Sequence, residues 1–245
     1  MGSGKYSALS GAVAREQAMA NIAANLANVT TTGFKRDRVS FASVLRGASQ
    51  IEAGRGINHT RIQQSAADFS QGGLQETGRP LDLAIDGEGF FKVRRGSETF
   101  YTRAGHLQID ENGMVKTSEG LNLVDGANQP LQLDTTTARE IVIAESGEIS
   151  VDGEVTDGRI QVVTVNDPKR LVKAGATLYR GGEGVTDQPL ETGRVIQGSL
   201  ETANVNMMEE MAAMIRTQRS FEVHHKSIAS YSMLGDTLVE LGTLL

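Results

Sequence analysis

Cysteine and tryptophan are missing from this 245-residue chain, and aromatic residues make up only 4% of it. Without cysteine, the chain can form neither a disulfide framework nor a thiolate metal site. No apolar run reaches the roughly 18 residues that suggest a transmembrane helix. The first 26 positions also lack the apolar block of a signal peptide, because Arg15, Glu16 and Gln17 interrupt them. We therefore expect no transmembrane segment and no use of the general secretory route.

The formal net charge of −6 argues against a dedicated nucleic-acid-binding protein, which needs clustered Lys and Arg for phosphate contacts. The short basic run of Lys35, Arg36 and Arg38 has no interleaved aromatic residues. We interpret it as a solvated or salt-bridged turn. Apolar residues make up 39% of the chain, enough for a core, and the 28 glycines suit short strands and many turns.

Both ends of the chain predict helices. Residues 3–28 are rich in alanine and free of proline, and their apolar residues recur at steps of three and four, which predicts a stripe along one helix face. Thr30, Thr31, Thr32 and Gly33 end this segment. Residues 204–241 show nearly heptad spacing, with Asn204 or Asn206 as the expected cap. A helix of that length spans roughly 55–60 Å, which is typical of a coiled-coil-like element.

These apolar stripes need partners, which a paired helix and then neighbouring subunits could supply. The residues that we predict to take part in subunit packing are Leu9, Val13, Met19, Ile22, Leu26, Asn28, Met211, Met214, Ile215, Phe221, Ile228, Tyr231, Leu234, Leu238 and Leu241.

The middle of the chain predicts an all-β body of short hairpins. Strand-like segments at 81–93, 121–124, 141–144, 148–151, 155–156 and 160–165 are punctuated by Asp-Gly and Asn-Gly turns beginning at 86, 112, 125, 152 and 157. Residues 46–78 have the composition of an irregular or extended connection. We thus expect an α+β fold divided into an N-terminal helix (1–32), an extended linker (33–78), a β-domain (79–190) and a C-terminal region with the second helix (191–245).

No catalytic, cofactor-binding or metal site is predicted. His224 and His225 are adjacent on a helix and so cannot share a ligand face. The loop at 86–89 lacks the phosphate-binding GxxxxGK[ST] pattern, and Asp110, Glu111 and Asn112 fail the spacing of a calcium loop. Carboxylates beside glycines fit turns better than a glycosidase pair. The methionines at 207, 208, 211 and 214 suggest a core or subunit seam more than a promiscuous peptide groove.

Three blocks resemble the flagellar basal-body rod protein family. They are NIAANLANVTTTGFK at 21–35, RPLDLAIDGEGFF with YTRAGHLQIDENG within 79–113, and GSLETANVNMMEEMAAMIRTQRSF at 198–221. Their order is that of the family's N-terminal, β-domain and C-terminal signatures. Within the family, the opening at 6–29 is most similar to the proximal rod subunit (FlgF type), with the distal rod subunit (FlgG) as a near relative.

This resemblance implies a structural subunit of the periplasmic rod, exported through the flagellar type III apparatus without a cleaved signal peptide. Its expected partners are other rod subunits and copies of itself, with no small-molecule substrate, no nucleic acid and no cofactor. The rod is a helical polymer that transmits torque. An envelope enzyme such as a wall-degrading hydrolase is the alternative; an adhesin-like β-domain is weaker, because it leaves the terminal stripes unexplained.

Overall fold

An alanine-rich segment without proline forms helix α1 (Gly2–Ala27), and the methionine-rich segment near the other end forms helix α2 (Met207–Thr243). These elements come from a computed structural model that describes residues 2–45, 58–133, 140–190 and 193–243. The Asn206 side chain caps α2, since its Oδ1 accepts hydrogen bonds from the N–H groups of Met208 (3.1 Å) and Glu209 (3.3 Å). Of the two expected caps, Asn206 is therefore the one used.

The two helices run antiparallel in a fixed register. Asn25 Nδ2 donates to Glu210 Oε2 at 3.5 Å, and Gly11 lies under the imidazole of His224. Between these contacts each helix advances 14 residues in the opposite sense, about 21 Å along the axis. The two residue numbers of each facing pair thus add up to 235.

A hairpin contacts α1 within the same compact unit. Strand β1 (Asp37–Leu45) pairs with β2 (Asn58–Ala67), with a register shift between Ser40 and Phe41. The helices and this hairpin (residues 1–27, 37–67 and 206–245) form what we call the helical unit. Where the sequence favours an irregular connection over 46–78, the structure instead has β2 and the short β3 (Leu74–Glu76); residues 46–57 of that segment lie outside the described ranges.

The remaining compact unit, residues 28–36 and 68–205, is the β unit. Beyond β3, its strands are β4 (Leu83–Asp86), β5 (Phe90–Arg95), β6 (Glu98–Thr102), β7 (Leu107–Ile109), β8 (Val115–Thr117), β9 (Asn122–Leu123), β10 (Ile141–Ile143), β11 (Glu148–Val151), β12 (Glu154–Arg159), β13 (Val162–Val165), β14 (Leu171–Lys173), β15 (Leu178–Gly181), β16 (Asp187–Pro189), β17 (Arg194–Gln197) and β18 (Ser199–Glu201).

Antiparallel pairing dominates this unit. One sheet has the order β14-β15-β6-β5-β9-β8-β7, with β13 added to β5 and β16 to β13; β10-β11-β12 form a second sheet. Strand β17 pairs with β4, and β18 pairs with β3. Apolar side chains from these strands and from residues next to them form one core, which includes Leu83, Ile85, Phe91, Val93, Leu107, Val115, Leu121, Leu123, Ile149, Ile160, Val162 and Val195.

The expected α+β class is confirmed: helices at both ends and short antiparallel strands between them. The turn expected at Asp157-Gly158 is wrong, because both residues lie inside β12. The hairpin turn before it already reverses the chain at Asp152 and Gly153, which both have positive φ. Among the described residues, no helix combines the length and hydropathy that crossing a membrane requires.

Candidate functional site

Small residues fill the seam between the helices. On α1, the buried positions Gly11, Ala14, Ala18 and Asn25 recur at steps of three, four and seven, which places them on the stripe that faces α2. A Cβ added at Gly11 would stand 2.6 Å from Cε1 of the His224 ring. On the α1 side, the seam therefore depends on small residues that allow close approach of α2.

The structure divides the stripe that the sequence predicts on α1. Leu9 and Val13 are exposed (49% and 44%), whereas Met19, Ile22 and Leu26 are half-buried on another side of the helix. These five residues do not share one face, because ten positions at 100° per residue separate Leu9 from Met19 by about 80°.

On α2, the predicted residues also fall into two groups. Met214, Phe221 and Ile228 are half-buried and in phase with Glu210 and His224, which both contact α1. Met211, Ile215, Tyr231 and Leu234 are exposed. Asn28 is half-buried in the β unit, where its main-chain oxygen accepts from the Thr31 N–H at 3.0 Å. Leu238 and Leu241 belong to the last turns of α2, and their side chains lie outside the description.

A buried cluster of charges joins distant parts of the β unit. Glu201 Oε1 accepts from Lys35 Nζ at 2.5 Å, and Glu201 Oε2 accepts from Arg103 Nη1 at 3.1 Å. The side chains of Lys35 and Glu201 are fully buried. Burial lowers the pKa of Lys35, although the Glu201 carboxylate opposes this shift, and burial likewise lowers the pKa of Arg103.

The cluster is tied to the surrounding main chain. Lys35 Nζ donates to the Ser70 carbonyl at 2.6 Å, Arg103 Nη2 donates to the Gly87 carbonyl at 2.7 Å, and Gly72 N–H donates to Glu201 Oε1 at 2.8 Å. Lys35 is therefore salt-bridged, which is one of the two expected alternatives, but it is buried and not solvated. Of the run 35–38, Arg36 is closer to that expectation, half-buried with a guanidinium nitrogen 3.9 Å from Asp68 Oδ2.

Asn204 forms further hydrogen bonds with the chain segments around Lys35 and Ser70. Its Oδ1 accepts from the Arg36 N–H at 2.7 Å, and its Nδ2 donates to the carbonyls of Asp68 (2.7 Å) and Ser70 (3.0 Å). This bonding explains why Asn204 does not cap α2. Gly33 allows its own segment to lie against the main chain at Ala104, because a Cβ at position 33 would stand 2.3 Å from the Ala104 nitrogen. Its φ of +71° also favours glycine.

A second polar group centres on Asp82. Arg79 holds the Asp82 carboxylate with two hydrogen bonds, Nε to Oδ2 at 3.0 Å and Nη2 to Oδ1 at 2.7 Å, and His106 Nδ1 lies 2.8 Å from Oδ1. Burial favours a raised pKa for Asp82, but the hydrogen bonds from Arg79 and His106 outweigh it and lower the pKa. The carboxylate is thus an ionised structural anchor.

The Glu201 cluster is built from residues far apart in sequence, and it brings together all three signature blocks: Lys35 from the first, Arg103 from the second and Glu201 itself from the third. The sequence gives no sign of this, because 166 residues separate Lys35 from Glu201. Across the described residues, no three His, Cys, Asp or Glu side chains are placed to hold a metal ion.

Comparison with known protein families gives three matches along the chain. They are "Flagella basal body rod protein" at residues 6–35, "Flagellar hook protein FlgE/F/G D1 domain" at 84–151 and "Flagellar basal body rod FlgEFG protein C-terminal" at 196–241. Lys35 lies in the first match, Arg103 in the second and Glu201 in the third.

Curated proteins match over nearly the whole chain. The flagellar basal-body rod protein FlgG of Bacillus subtilis (strain 168) is 33% identical, over 96% of this chain and 97% of its own. FlgG of Borreliella burgdorferi is 32% identical, over 94% and 95% of the two chains. The flagellar basal-body rod protein FlgF of Caulobacter vibrioides is 30% identical, over 89% of each chain.

Proposed function

Because the chain belongs to the flagellar basal-body rod protein family, we propose that it is a structural, non-enzymatic subunit of the bacterial flagellar rod that polymerises through α1 and α2. The observation that carries this proposal is the distribution of apolar side chains on the helical unit. Small residues occupy the α1 side of the seam, while Tyr6, Leu9, Val13, Met208 and Ile215 are exposed. Exposed apolar stripes of this kind mark interaction surfaces.

The predicted packing residues then fall into two roles. The exposed ones, Leu9, Val13, Met211, Ile215, Tyr231 and Leu234, contact neighbouring subunits directly. The half-buried ones, Met19, Ile22, Leu26, Met214, Phe221 and Ile228, hold the helical unit in the shape that neighbours bind. Asn28, Leu238 and Leu241 complete the proposed set.

We place the subunit in the periplasmic part of the basal body, among copies of itself and other rod subunits. Export through the flagellar type III apparatus is part of this proposal, because relatives that match most of the chain are named flagellar basal-body rod proteins. A rod made of heterologous contacts grows as an open helix. Close-packed helices resist shear and so transmit torque.

The proximal position remains our proposal, and the distal position is the alternative. Relatives named FlgG and FlgF both align with most of the chain. Electron microscopy of basal bodies from a deletion strain distinguishes the two positions, because it shows whether the rod stops before or after its proximal segment.

Two substitutions test the proposed assembly. We expect Val13→Asp and Ile215→Asp each to abolish rod formation and swimming, because each places a carboxylate on an exposed apolar surface that must be desolvated on assembly. The control is Val155→Asp on β12, an exposed valine (73%) of the β unit. Basal bodies are imaged and swimming is measured in a strain that expresses each variant. Wild-type rods in both helix variants would reject the proposal.

A further inference from the structure

A cavity of about 380 Å³ lies in the β unit beside the turn between β4 and β5. Its apolar walls come from Phe69, Phe90 and Pro168, and the two phenyl rings meet edge to face with their centroids 5.1 Å apart. Polar groups come from Arg103 and from the main chain of the turn residues 87–89. Ligand pockets in proteins measure about 300–1,000 Å³ and combine apolar walls with a few polar groups. The size and the lining of this cavity therefore fit a small molecule.

Arg103 contributes a guanidinium to the lining of this cavity. The residue is only 2% exposed, and its Cζ lies 5.6 Å from the centroid of the Phe90 ring. Nη1 donates to Glu201 Oε2 at 3.1 Å and Nη2 donates to the Gly87 carbonyl at 2.7 Å, whereas Nε has no hydrogen-bond partner within the described part of the chain. Nε and Nη2 share one edge of a guanidinium. Because Nη2 is bonded to Gly87, the Nε–H group lies on the edge nearest to the turn that lines the cavity.

The charges around Arg103 do not balance. Lys35 and Arg103 bring two positive charges, and Glu201 is the one carboxylate among the described residues that bonds to both. Asp68 also attracts Lys35, but an arginine outside the cluster lies 3.9 Å from its carboxylate. Glu88 attracts Arg103 from the rim of the cavity, although its side chain is exposed to water. The buried cluster therefore carries an excess positive charge, which a further anion would stabilise.

We infer that this cavity binds a small carboxylate that has an apolar body. The carboxylate accepts the Arg103 Nε–H and offsets the excess charge, while the apolar body lies against the phenyl rings and the proline. Arg79 shows the same chemistry elsewhere in the chain, since its Nε and Nη2 hold the Asp82 carboxylate at 3.0 and 2.7 Å. The site uses no residue of the two helices, so it can fail without affecting the proposed function.

Titration of benzoate into the purified full-length chain tests the site, because benzoate joins a carboxylate to a flat apolar ring. We expect saturable binding by isothermal titration calorimetry. In the isotope-labelled chain, the NMR signal of the Arg103 Nε–H should move downfield, since a charge-assisted hydrogen bond forms there. Benzamide has the same shape without the charge and should bind about tenfold more weakly. Absence of saturable benzoate binding, equal affinity for benzamide, or an unmoved Arg103 signal would overturn the inference.

A substitution at the rim tests where the carboxylate of the ligand lies. Glu88→Gln removes an exposed carboxylate that repels the ligand, so the variant should bind benzoate about threefold more tightly than the wild type. Glu98→Gln makes the same change on β6, at a position that does not line the cavity, and should leave the affinity unaltered. Equal benzoate affinities for Glu88→Gln and the wild type would overturn the placement of the carboxylate beside Arg103.

Discussion

At the scale of single residues, the β unit depends on charges that are fully removed from water. Lys35 and Arg103 share the carboxylate of Glu201, and backbone groups of Ser70, Gly72 and Gly87 form further hydrogen bonds with the cluster. Such a cluster adds little stability compared with an apolar core, but the loss of one partner leaves an uncompensated buried charge. Its effect is to specify which segments meet, since only a carboxylate at 201 satisfies both cations.

Replacing Glu201 with Gln should therefore be severely destabilising. The amide keeps the shape of the side chain but leaves the buried Lys35 and Arg103 without a counter-charge. We expect the free energy of unfolding to fall by about 3–5 kcal/mol, measured by urea denaturation. Glu98→Gln, at an exposed ion pair with Arg180 4.0 Å away, is the control and should change it by less than about 1 kcal/mol. Equal midpoints for the two variants would contradict this account.

Asp82 should make the stability of the β unit depend on pH in the acidic range. Its pKa in the folded chain is lowered from the ordinary value of 3.8, so the folded state binds the proton less readily than the unfolded state. The resulting stabilisation is present above that ordinary value and is lost as the pH falls through the folded pKa. In Asp82→Asn, thermal melting temperatures between pH 5 and pH 2 should decline less steeply than in the wild type. Parallel profiles would show that Asp82 does not contribute.

At the scale of elements, the sequence predicts the two helices well but not their faces. Steps of three and four locate both helices within a few residues, and Asn206 was one of two expected caps. Large apolar residues predict one face of α1, whereas the seam on that helix consists of Gly11, Ala14, Ala18 and Asn25. Glycine and alanine carry little hydrophobic signal, so a seam built on close approach escapes a search for apolar stripes. The heptad spacing of these small residues was the available signal.

Gly11→Ala distinguishes a tight seam from a loose one. Alanine favours helix over glycine by roughly 0.5–1 kcal/mol, so a loosely packed α1 would be stabilised. We expect destabilisation of about 1–3 kcal/mol instead, because the new Cβ would overlap the His224 ring. The free energy of unfolding is measured by urea denaturation. Adding His224→Ala should recover part of the loss, and an increase in stability of the single variant would refute the tight contact.

At the scale of the whole molecule, the chain divides into a helical unit and a β unit that each contain sequence from both halves. The β body was predictable from its turns and strand-like segments. The buried cluster was not, since it depends on positions that only the folded topology brings together. Residues 28–36 and 199–205 belong to the β unit although they flank the helices in sequence.

Two truncations distinguish the role of α2 in self-association from the role of the Glu201 cluster in the folding of the β unit. Deletion of 207–245 removes α2 but keeps Glu201 and Asn204, so the β unit should still unfold cooperatively while self-association is lost. Deletion of 200–245 also removes Glu201 and the β18 pairing, and should abolish the cooperative transition. Urea denaturation followed by circular dichroism reports folding, and sedimentation velocity reports association. Cooperative folding of both truncations would contradict the importance of the cluster.

The unequal lengths of the two helices have a consequence for the tip of the pair. Since facing numbers add up to 235, Gly2 lies across from Met233, and the residues of α2 from 234 to 243 extend about 15 Å beyond the first turn of α1. These turns continue a helix that is already nucleated, so they need no partner in order to form. No described turn of α1 lies across from them, however, and a subunit at a growing end therefore offers them as a projecting edge to the next molecule.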